Sequence, residues 1–293
     1  MASKIDVSIG GAAEKSAAPA IFTGIALGEP IVMGILNVTP DSFSDGGDLP
    51  DPAAAIAVGL AMREAGAAIL DVGGESTRPG SDPVPIGEEQ RRIVPVVRGL
   101  AQAGAIVSID TRHASVMRAA IDAGARIVND VTALTGDPDS MRVVADSGVS
   151  VVLMHMQGEP KTMQQDPHYD DVVREVRDYL AARVDACVAA GIARSRIAID
   201  PGIGFGKTLD HNLRLLNELG AFRELGCAIL IGVSRKSFIG RAAGNAAPKA
   251  RLGGSLAAAL AAVDRGARIV RAHDVPETVQ ALKIQAAIGR AGD

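Results

Sequence analysis

From Ile31 to the C-terminus the chain repeats one unit: a short apolar run, a polar residue at its end, and a segment with helical periodicity. The apolar runs are Ile31–Leu36, Ala67–Val72, Ala105–Ile109, Arg126–Val128, Val149–Met154, Arg196–Ile199, Ala228–Val233 and Arg268–Val270. The helical segments lie near residues 53–65, 87–103, 114–123, 138–147, 169–190, 210–223, 252–265 and 275–289. Strands joined by helices must run parallel, and eight such units close a barrel. The pattern therefore predicts an α/β protein with a (β/α)₈ TIM barrel, and an open doubly wound sheet is the alternative.

The repeat indicates one catalytic domain over residues 21–293, because no linker or low-complexity segment divides it. Residues 1–20 are rich in Ala, Gly and Ser and have no long apolar stretch. This composition predicts a disordered N-terminal extension and argues against a signal peptide. Ile21–Gly28 alternates weakly between apolar and polar residues, which predicts a short strand or hairpin ahead of the barrel.

Composition narrows the class of protein. The chain has no Trp, two Tyr and five Phe, so its core must consist of Ala, Val, Ile and Leu, as in helices packed on a parallel sheet. A net charge of -4 argues against nonspecific nucleic-acid binding, and no stretch is apolar for the length of a membrane span. Cys187 and Cys227 are predicted to be unpaired and buried, with a disulfide as the alternative. We expect a cytoplasmic protein.

A polar residue follows every apolar run, at the end of the barrel where this architecture places active sites. These residues are Asn37, Asp71, Asp110, Asn129, Asp130, His155, Asp200, Ser234, Arg235, Lys236, Arg271 and His273. A single Asp or Asn in such a position is equally well explained as a helix N-cap. Capping does not explain a polar residue at every strand end, so the pattern predicts a binding site there.

Two of the connections that follow strands are long and polar. The first opens at Asn37 and carries Phe43 at its middle, and the second contains Thr77, Arg78 and Pro79. Ordinary connections in this class of fold need only about two to six residues. Longer loops rich in small residues are typical of mobile segments over an active site. An ordinary strand and turn is the alternative.

One group of strand-end residues supplies hydrogen-bond acceptors. Asp110, Asn129 and Asp200 are expected to face one small mouth, with Lys236 contributing a positive charge. Buried carboxylates are costly without partners, so they call for a ligand rich in N–H groups. A flat heterocycle with adjacent N–H and C=O groups, such as a pterin or guanine-like ring, meets this demand. A buried Asp–Lys ion pair without a ligand is the alternative.

A second group supplies donors from the first, second and last strands. Its members are Asn37, Thr77, Arg78, Arg271 and His273. A guanidinium binds phosphate through two parallel hydrogen bonds, and an amide oxygen can bind Mg²⁺ beside substrate phosphates. We therefore predict a pyrophosphate site next to the ring site, with Asn37 as a Mg²⁺ ligand.

Two further motifs are not interpreted as a phosphate-binding site or a metal site. Residues 202–208 have the appearance of a phosphate-binding loop, but the first glycine of that motif would fall on Pro201. We interpret the segment as a close-packed turn that carries Phe205 over the site. His155 and Met156 have the appearance of a metal-binding pair, but no third ligand is evident, so we expect packing or a hydrogen bond there.

Several segments, in order, resemble the dihydropteroate synthase family of folate biosynthesis. They are MGILNVTPDSFSDGG, GGESTRPG, SIDT, IVND, VLMHMQG, DPGIGFGK, VSRKSFIG and RAHDV. The resemblance runs from about residue 30 to the C-terminus. It implies a (β/α)₈ barrel, usually dimeric, that joins 4-aminobenzoate to 6-hydroxymethyl-7,8-dihydropterin pyrophosphate with Mg²⁺ and releases pyrophosphate. The resemblance also implies that the protein is a target of sulfonamides, which mimic aminobenzoate.

The resemblance implies a role for each candidate residue. The pterin pocket of the family is matched by Asp110, Asn129, Asp200 and Lys236, and its Mg²⁺ and diphosphate position is matched by Asn37. Its anion site is matched by Arg271 and His273, with Thr77 and Arg78. Its aminobenzoate region is matched by Phe43, Pro79, Phe205 and Ser237. Asp110, Lys236, Arg271 and His273 would act in catalysis. Ala272 stands where the family has Val, facing away from the ligand. The alternatives are a pterin-binding methyltransferase domain, which would not need the two long loops, and a non-catalytic pterin-binding relative.

Overall fold

The structure, a computed structural model, describes residues 21–39, 51–75, 84–159 and 161–291. A short antiparallel hairpin, β1 (Ile21–Phe22) and β2 (Ile25–Ala26), precedes the barrel. The barrel strands are β3 (Ile31–Asn37), β4 (Ala67–Gly73), β5 (Val107–Asp110), β6 (Ile127–Asp130), β7 (Ser150–Met154), β8 (Ile197–Asp200), β9 (Ala228–Gly232) and β10 (Ile269–Ala272). Each pairs in parallel with the next, and β10 pairs with β3, so the sheet is closed. The (β/α)₈ TIM barrel is confirmed, and the open sheet is wrong.

The described helices lie between the strands. They are α1 (Pro52–Glu64), α2 (Ile86–Gln102), α3 (Ala114–Asp122), α4 (Ser140–Ser147), α5 (Val172–Ala189), α6 (Leu209–Asn217), α7 (Ser237–Ala242), α8 (Leu252–Asp264) and α9 (Val275–Arg290). Side chains fix where several of them begin. The Asp51 carboxylate accepts from the N–H of Ala53, and the Thr208 hydroxyl accepts from the N–H of His211 at 3.2 Å. Such caps satisfy backbone donors that have no partner in the first turn of a helix.

Alternation along each strand divides the buried residues into two sets. One set points outward and forms the main core with the helices; Val32, Leu70 and Ile109 are examples. The other set points into the barrel and forms a second, smaller cluster, for which Ile69 and Ile127 are examples. Because successive side chains point to opposite faces of a strand, this parity also decides which polar strand-end residues face the barrel mouth.

The hairpin closes the bottom of the barrel. Phe22 and Leu27 are buried and belong to the inner cluster with Met33, Ile69 and Ile127. The predicted hairpin is therefore confirmed, and it supplies a large aromatic side chain to an interior otherwise filled by aliphatic ones. The predicted disordered extension, residues 1–20, lies outside the described residues and stays a prediction.

Most predicted elements are confirmed, with ends that shift by one to three residues. The sequence pattern missed α7, because six residues are too few to show a helical period. It also extended one helix over residues 210–223, whereas α6 ends at Asn217 and a 3₁₀ segment, Leu219–Leu225, follows. Gly220, a poor helix former, lies at this break.

The two cysteines and the membrane prediction agree with the structure. Cys187 is buried, Cys227 is partly buried, and neither forms a disulfide. No helix among the described residues combines the length and apolar character that crossing a bilayer requires.

Candidate active site

The polar residues of the inner parity meet at the C-terminal end of the barrel. Asp71, Asp110, Asn129 and Asp200 are all buried, with Asp71 fully inaccessible and Asp110 9 % exposed. Each follows the parity of the inner cluster, since Ile69 lies two residues before Asp71 and Ile127 two residues before Asn129. Asp130 has the opposite parity, and its carboxylate accepts from the N–H groups of Thr132 and Leu134. Polar strand-end residues that point into the barrel thus meet at its mouth, whereas Asp130, which points outward, stabilises a turn.

Arg271 lies at the centre of these residues. Its Nε donates to Asp71 Oδ2 at 2.6 Å, and its Nη2 donates to Asp110 Oδ2 at 2.7 Å. Asn129 Nδ2 donates to the same Asp71 oxygen at 3.0 Å. We call these four residues the Arg271 network. One guanidinium fork thereby compensates two buried carboxylates that repel each other.

The Arg271 network leaves two acceptors open. The Oδ1 atoms of Asp71 and Asp110 are buried and have no hydrogen-bond partner within the part of the chain that the structure describes. A buried acceptor without a donor costs roughly 1–3 kcal/mol. The site therefore offers acceptor positions suited to a ligand that carries N–H groups.

Burial dominates the protonation of the site. It raises the pKa of Asp110 to about 7, against the opposing attraction of Arg271. Burial likewise raises the pKa of Asp200, with Lys236 opposing it, and lowers the pKa of Lys236 to about 8, with Asp200 opposing it. Near neutral pH the mouth can thus exchange protons at little cost, which is typical of functional sites.

Asn37 ends β3 beside the Arg271 network. A Cβ built on Gly73 would lie 3.9 Å from both Asn37 Oδ1 and Asp110 Oδ2, so these two oxygens flank the same small space. An amide oxygen beside a carboxylate oxygen fits the hard oxygen ligands that Mg²⁺ prefers when substrate phosphates supply the rest.

The opposite side of the mouth is built from backbone. Residues 201–207, which we call the glycine loop, follow β8 and lie against the end of β7. A Cβ at Gly202 would lie 1.9 Å from His155 O, and a Cβ at Gly206 would lie 2.4 Å from Gln157 O. Both glycines have positive φ, which side-chain-bearing residues rarely adopt. The predicted close-packed turn is confirmed.

Lys236 rests on this loop. Its ammonium donates to Ile203 O and lies 4.6 Å from the centroid of the Phe205 ring, a cation–π distance. A Cβ at Gly232 would lie 3.8 Å from Lys236 Nζ and 3.9 Å from Asp200 Oδ2, so the ammonium and that carboxylate border one space. Ser237 begins α7 directly after Lys236. The structure therefore places Phe205, Asp200 and Lys236 on one side of the mouth, with Ser237 next to Lys236 in the chain.

His273 follows β10, and its Nδ1 lies 3.0 Å from the Ser234 hydroxyl, which also accepts from the His273 backbone N–H at 3.2 Å. Ser234 thus fixes the ring that was predicted to serve an anion. Ala272 is buried in the outer core, so its predicted orientation away from the mouth is confirmed.

Comparison with known proteins agrees with this geometry. A family model described as pterin binding enzyme matches residues 33–273. Dihydropteroate synthase of Escherichia coli K12 is 48 % identical over 89 % of this chain and 93 % of its own length. That of Neisseria meningitidis serogroup C is 50 % identical over 90 % of this chain and 95 % of its own. The chain belongs to the dihydropteroate synthase family.

Solved structures of the family superimpose closely. Xanthomonas albilineans dihydropteroate synthase with 4-aminobenzoic acid has a TM-score of 0.86 and 48 % identity, covering 93 % of this chain and 99 % of its own. The same enzyme in complex with 7,8-dihydropteroate has a TM-score of 0.81 and 47 % identity, covering 90 % of this chain and 95 % of its own. The chain is therefore a transferase of folate biosynthesis, and these matches do not support the methyltransferase alternative.

Four site residues predicted for the dihydropteroate synthase family fall outside the described residues. They are Phe43, Thr77, Arg78 and Pro79. Their assignments to the aminobenzoate and pyrophosphate regions stay predictions, as does the mobility of the two loops that contain them.

The structure joins the two predicted groups of the site. Sequence reasoning assigned Asp110 to the ring site and Arg271 to the anion site next to it, and the two side chains are hydrogen-bonded. Their separate roles toward the ring and the anion stay predictions. Sequence reasoning also missed Asp71 and Lys207 as site residues. Asp71 shows a usable signal, since it has the inner parity; Lys207 shows none.

Proposed function

We propose that this chain joins 6-hydroxymethyl-7,8-dihydropterin pyrophosphate to 4-aminobenzoate, forming 7,8-dihydropteroate and pyrophosphate. The observation that carries the proposal is the set of buried acceptors at the barrel mouth, held around Arg271 with two oxygens left open. One relative, the Xanthomonas albilineans enzyme, has been solved with 4-aminobenzoic acid and with 7,8-dihydropteroate, which supports the same pair of ligands here.

The pterin ring would bind between the Arg271 network and Asp200. Asp110, Asn129 and Asp200 provide complementary hydrogen-bonding groups, and Lys236 can donate to a ring oxygen or nitrogen. Because these groups are buried, a ring lacking the matching N–H groups would leave them unpaired, at roughly 1–3 kcal/mol each. The pocket would therefore select rings by their hydrogen-bonding edge.

The pyrophosphate would bind near Arg271 and His273, with Thr77 and Arg78 of the second loop. In the described structure the guanidinium already contacts two carboxylates, so an incoming anion must share it with Asp71 and Asp110. The positive charge is thus held in place before substrate arrives. Preorganised charge costs no reorganisation when negative charge develops on the leaving group.

Mg²⁺ is part of the proposal. Asn37 Oδ1 would hold it, next to Asp110 and the substrate phosphates, since the Asn37 and Asp110 oxygens flank one space beside Gly73. When bound, the ion would supply positive charge to the phosphate oxygens.

The reaction balances without a protein nucleophile. The bond between the pterin methylene carbon and the pyrophosphate oxygen breaks, and the electron pair leaves with pyrophosphate. The methylene becomes cationic, and the ionised carboxylate of Asp110 stabilises it. The amine of aminobenzoate then donates its lone pair, forms the C–N bond and releases one proton. Phe43, Pro79, Phe205 and Ser237 would orient the aminobenzoate.

Three further expectations complete the proposal. We expect a homodimer, a cytoplasmic location, and no binding to nucleic acid. The unpaired cysteines fit a reducing compartment, and the net charge of -4 disfavours a polyanionic partner. Light scattering on the purified protein tests the dimer.

The decisive experiment mixes the purified protein with both substrates and Mg²⁺ and follows pyrophosphate and dihydropteroate. Equal amounts of both products are expected, and none when either substrate is omitted. Replacing Mg²⁺ by excess chelator should abolish turnover. Pyrophosphate release that does not depend on aminobenzoate would show hydrolysis and would overturn the proposal.

A further inference from the structure

Lys207 is buried more deeply than Lys236, the other lysine beside the site. It is 1 % exposed and lies at the end of the glycine loop, below the surface that faces the mouth. Burial lowers the pKa of Lys207 to about 7, because desolvation disfavours the ammonium, so the amine needs good hydrogen-bond partners. The proposed reaction does not use Lys207, so the free energy that its desolvation costs needs another explanation.

Each proton of the Lys207 ammonium has an acceptor. Nζ lies 3.0 Å from Phe205 O, 3.4 Å from His155 O and 3.0 Å from His155 Nδ1. Burial lowers the pKa of His155 to about 3, so the imidazole is neutral and can accept at Nδ1. The ammonium thereby joins the end of β7 to the loop that follows β8.

The same loop is held along its whole length. Each backbone carbonyl from position 203 to position 206 accepts from a different side chain. The donors are Lys236 for Ile203, Gln164 for Gly204, Lys207 for Phe205 and Tyr169 for Gly206. Lys207 is the donor on the buried side, and Lys236 is the donor on the side of the mouth.

The consequence concerns Phe205 and Lys236. The Phe205 carbonyl is fixed by Lys207, and its ring lies against the Lys236 ammonium. We infer that Lys207, together with His155, is a positioning residue that sets the place of Phe205 and thereby the affinity for aminobenzoate. This inference rests on the proposed function for the identity of the second substrate.

The test uses Lys207→Met, which keeps the length of the side chain and removes the charge and the donors. We expect the KM for aminobenzoate to rise at least tenfold, with kcat changed less than threefold. A role in general stability predicts the opposite, because a partly unfolded sample loses active enzyme and shows a lower kcat at unchanged KM. Lys283→Met, an exposed lysine on α9, is the matched control and should behave as wild type.

His155 provides a second, conservative test. In His155→Asn the amide oxygen can take the place of Nδ1 as acceptor, so the aminobenzoate KM should stay within about threefold of wild type. His155→Leu removes the acceptor and should raise KM as Lys207→Met does. Equal KM values in the Asn and Leu variants would overturn the role of this contact.

Amide hydrogen exchange gives a readout that needs no turnover. Residues 202–206 should exchange faster in Lys207→Met and at the wild-type rate in Lys283→Met. If wild type shows no turnover but this change is seen, the proposed function fails and the positioning role stands. If turnover is present and both KM and exchange are unchanged in Lys207→Met, the positioning role is wrong.

Discussion

The two sides of the barrel mouth are built in different ways. The Arg271 network uses side chains from β4, β5, β6 and β10, held by two ion pairs and one amide hydrogen bond. The glycine loop uses backbone, with carbonyls that accept from Lys236 and Lys207. The first side can exchange partners with a ligand because its groups are charged and some acceptors remain open. The second side is already satisfied and serves as a fixed wall.

This difference teaches which changes each side tolerates. A side-chain network depends on the identity of each charged group, so substitutions that conserve shape but not charge should damage it. A backbone wall depends on the space around glycines, so substitutions that add even one carbon should damage it.

The largest effect is expected for Arg271→Met. The change leaves Asp71 and Asp110 buried without the cation that contacts them, at about 3–5 kcal/mol of unfolding free energy. Turnover should fall by at least about 100-fold as the preorganised charge is lost. Urea denaturation and product assays measure the two effects. Arg290→Met removes an exposed pair with Glu29 and should cost about 1 kcal/mol or less. Stability within 1 kcal/mol of wild type for Arg271→Met would contradict the network.

The next effect concerns Glu89, on α2 behind the Arg271 network. Burial raises the pKa of Glu89 from its usual value of about 4.5 to about 7, and neither of its carboxylate oxygens has a hydrogen-bond partner among the described residues. Between these values the native state binds more protons than the unfolded state, so stability is full below about pH 4.5 and is lost as pH rises through 7.

Glu89→Gln removes this titration. Relative to the variant, wild type should lose about 3 kcal/mol of unfolding free energy between pH 4.5 and 8. Denaturation at several pH values measures the difference, and Glu64→Gln, an exposed glutamate, is the control. Parallel pH curves for wild type and Glu89→Gln would show that Glu89 ionises normally.

Asp200→Asn tests recognition of the pterin between the two sides. The variant can keep the hydrogen bond that Asp200 Oδ1 accepts from the N–H of Gly202 at 2.8 Å, so the loop should stay in place. Pterin affinity should weaken by about 1–3 kcal/mol, because a donor N–H₂ now faces the ring edge. Titration calorimetry measures this, with the exposed Asp210→Asn as control. Unchanged affinity would remove Asp200 from the pocket.

The smallest effect is expected for Gly206→Ala, judged against Gly148→Ala. Both glycines have positive φ, but a Cβ at position 206 would lie 2.4 Å from Gln157 O, whereas a Cβ at position 148 has nothing within 4 Å. The strain of the backbone should be common to both. The excess cost at position 206, about 1–2 kcal/mol, measures the close approach of the wall to β7. Equal denaturation midpoints would show that the loop moves aside freely.

The pattern of apolar and polar residues along the chain determined the barrel and much of its polar mouth. The position of polar residues at the strand ends predicted that Asp110, Asn129 and Asp200 face one mouth and that the Arg271 group lies next to them. The parity of the strand residues, applied strictly, selects Asp71 and rejects Asp130, since side chains alternate between the two faces of a strand. The eight-fold repeat determined the barrel, because parallel strands joined by helices have few ways to cover both faces.

Tertiary structure decided which partners meet. Arg271 contacts Asp71, 200 residues earlier, only because the closed sheet brings β10 next to β3 and near β4. The sequence also did not predict the burial of Lys207. Two of its acceptors, the Nδ1 and the carbonyl of His155, come from another segment, and the third is the Phe205 carbonyl of its own turn. A local pattern records which face a residue occupies. It does not record the direction of a side chain's hydrogen bonds, which depends on groups that only the closed barrel brings within 3 Å.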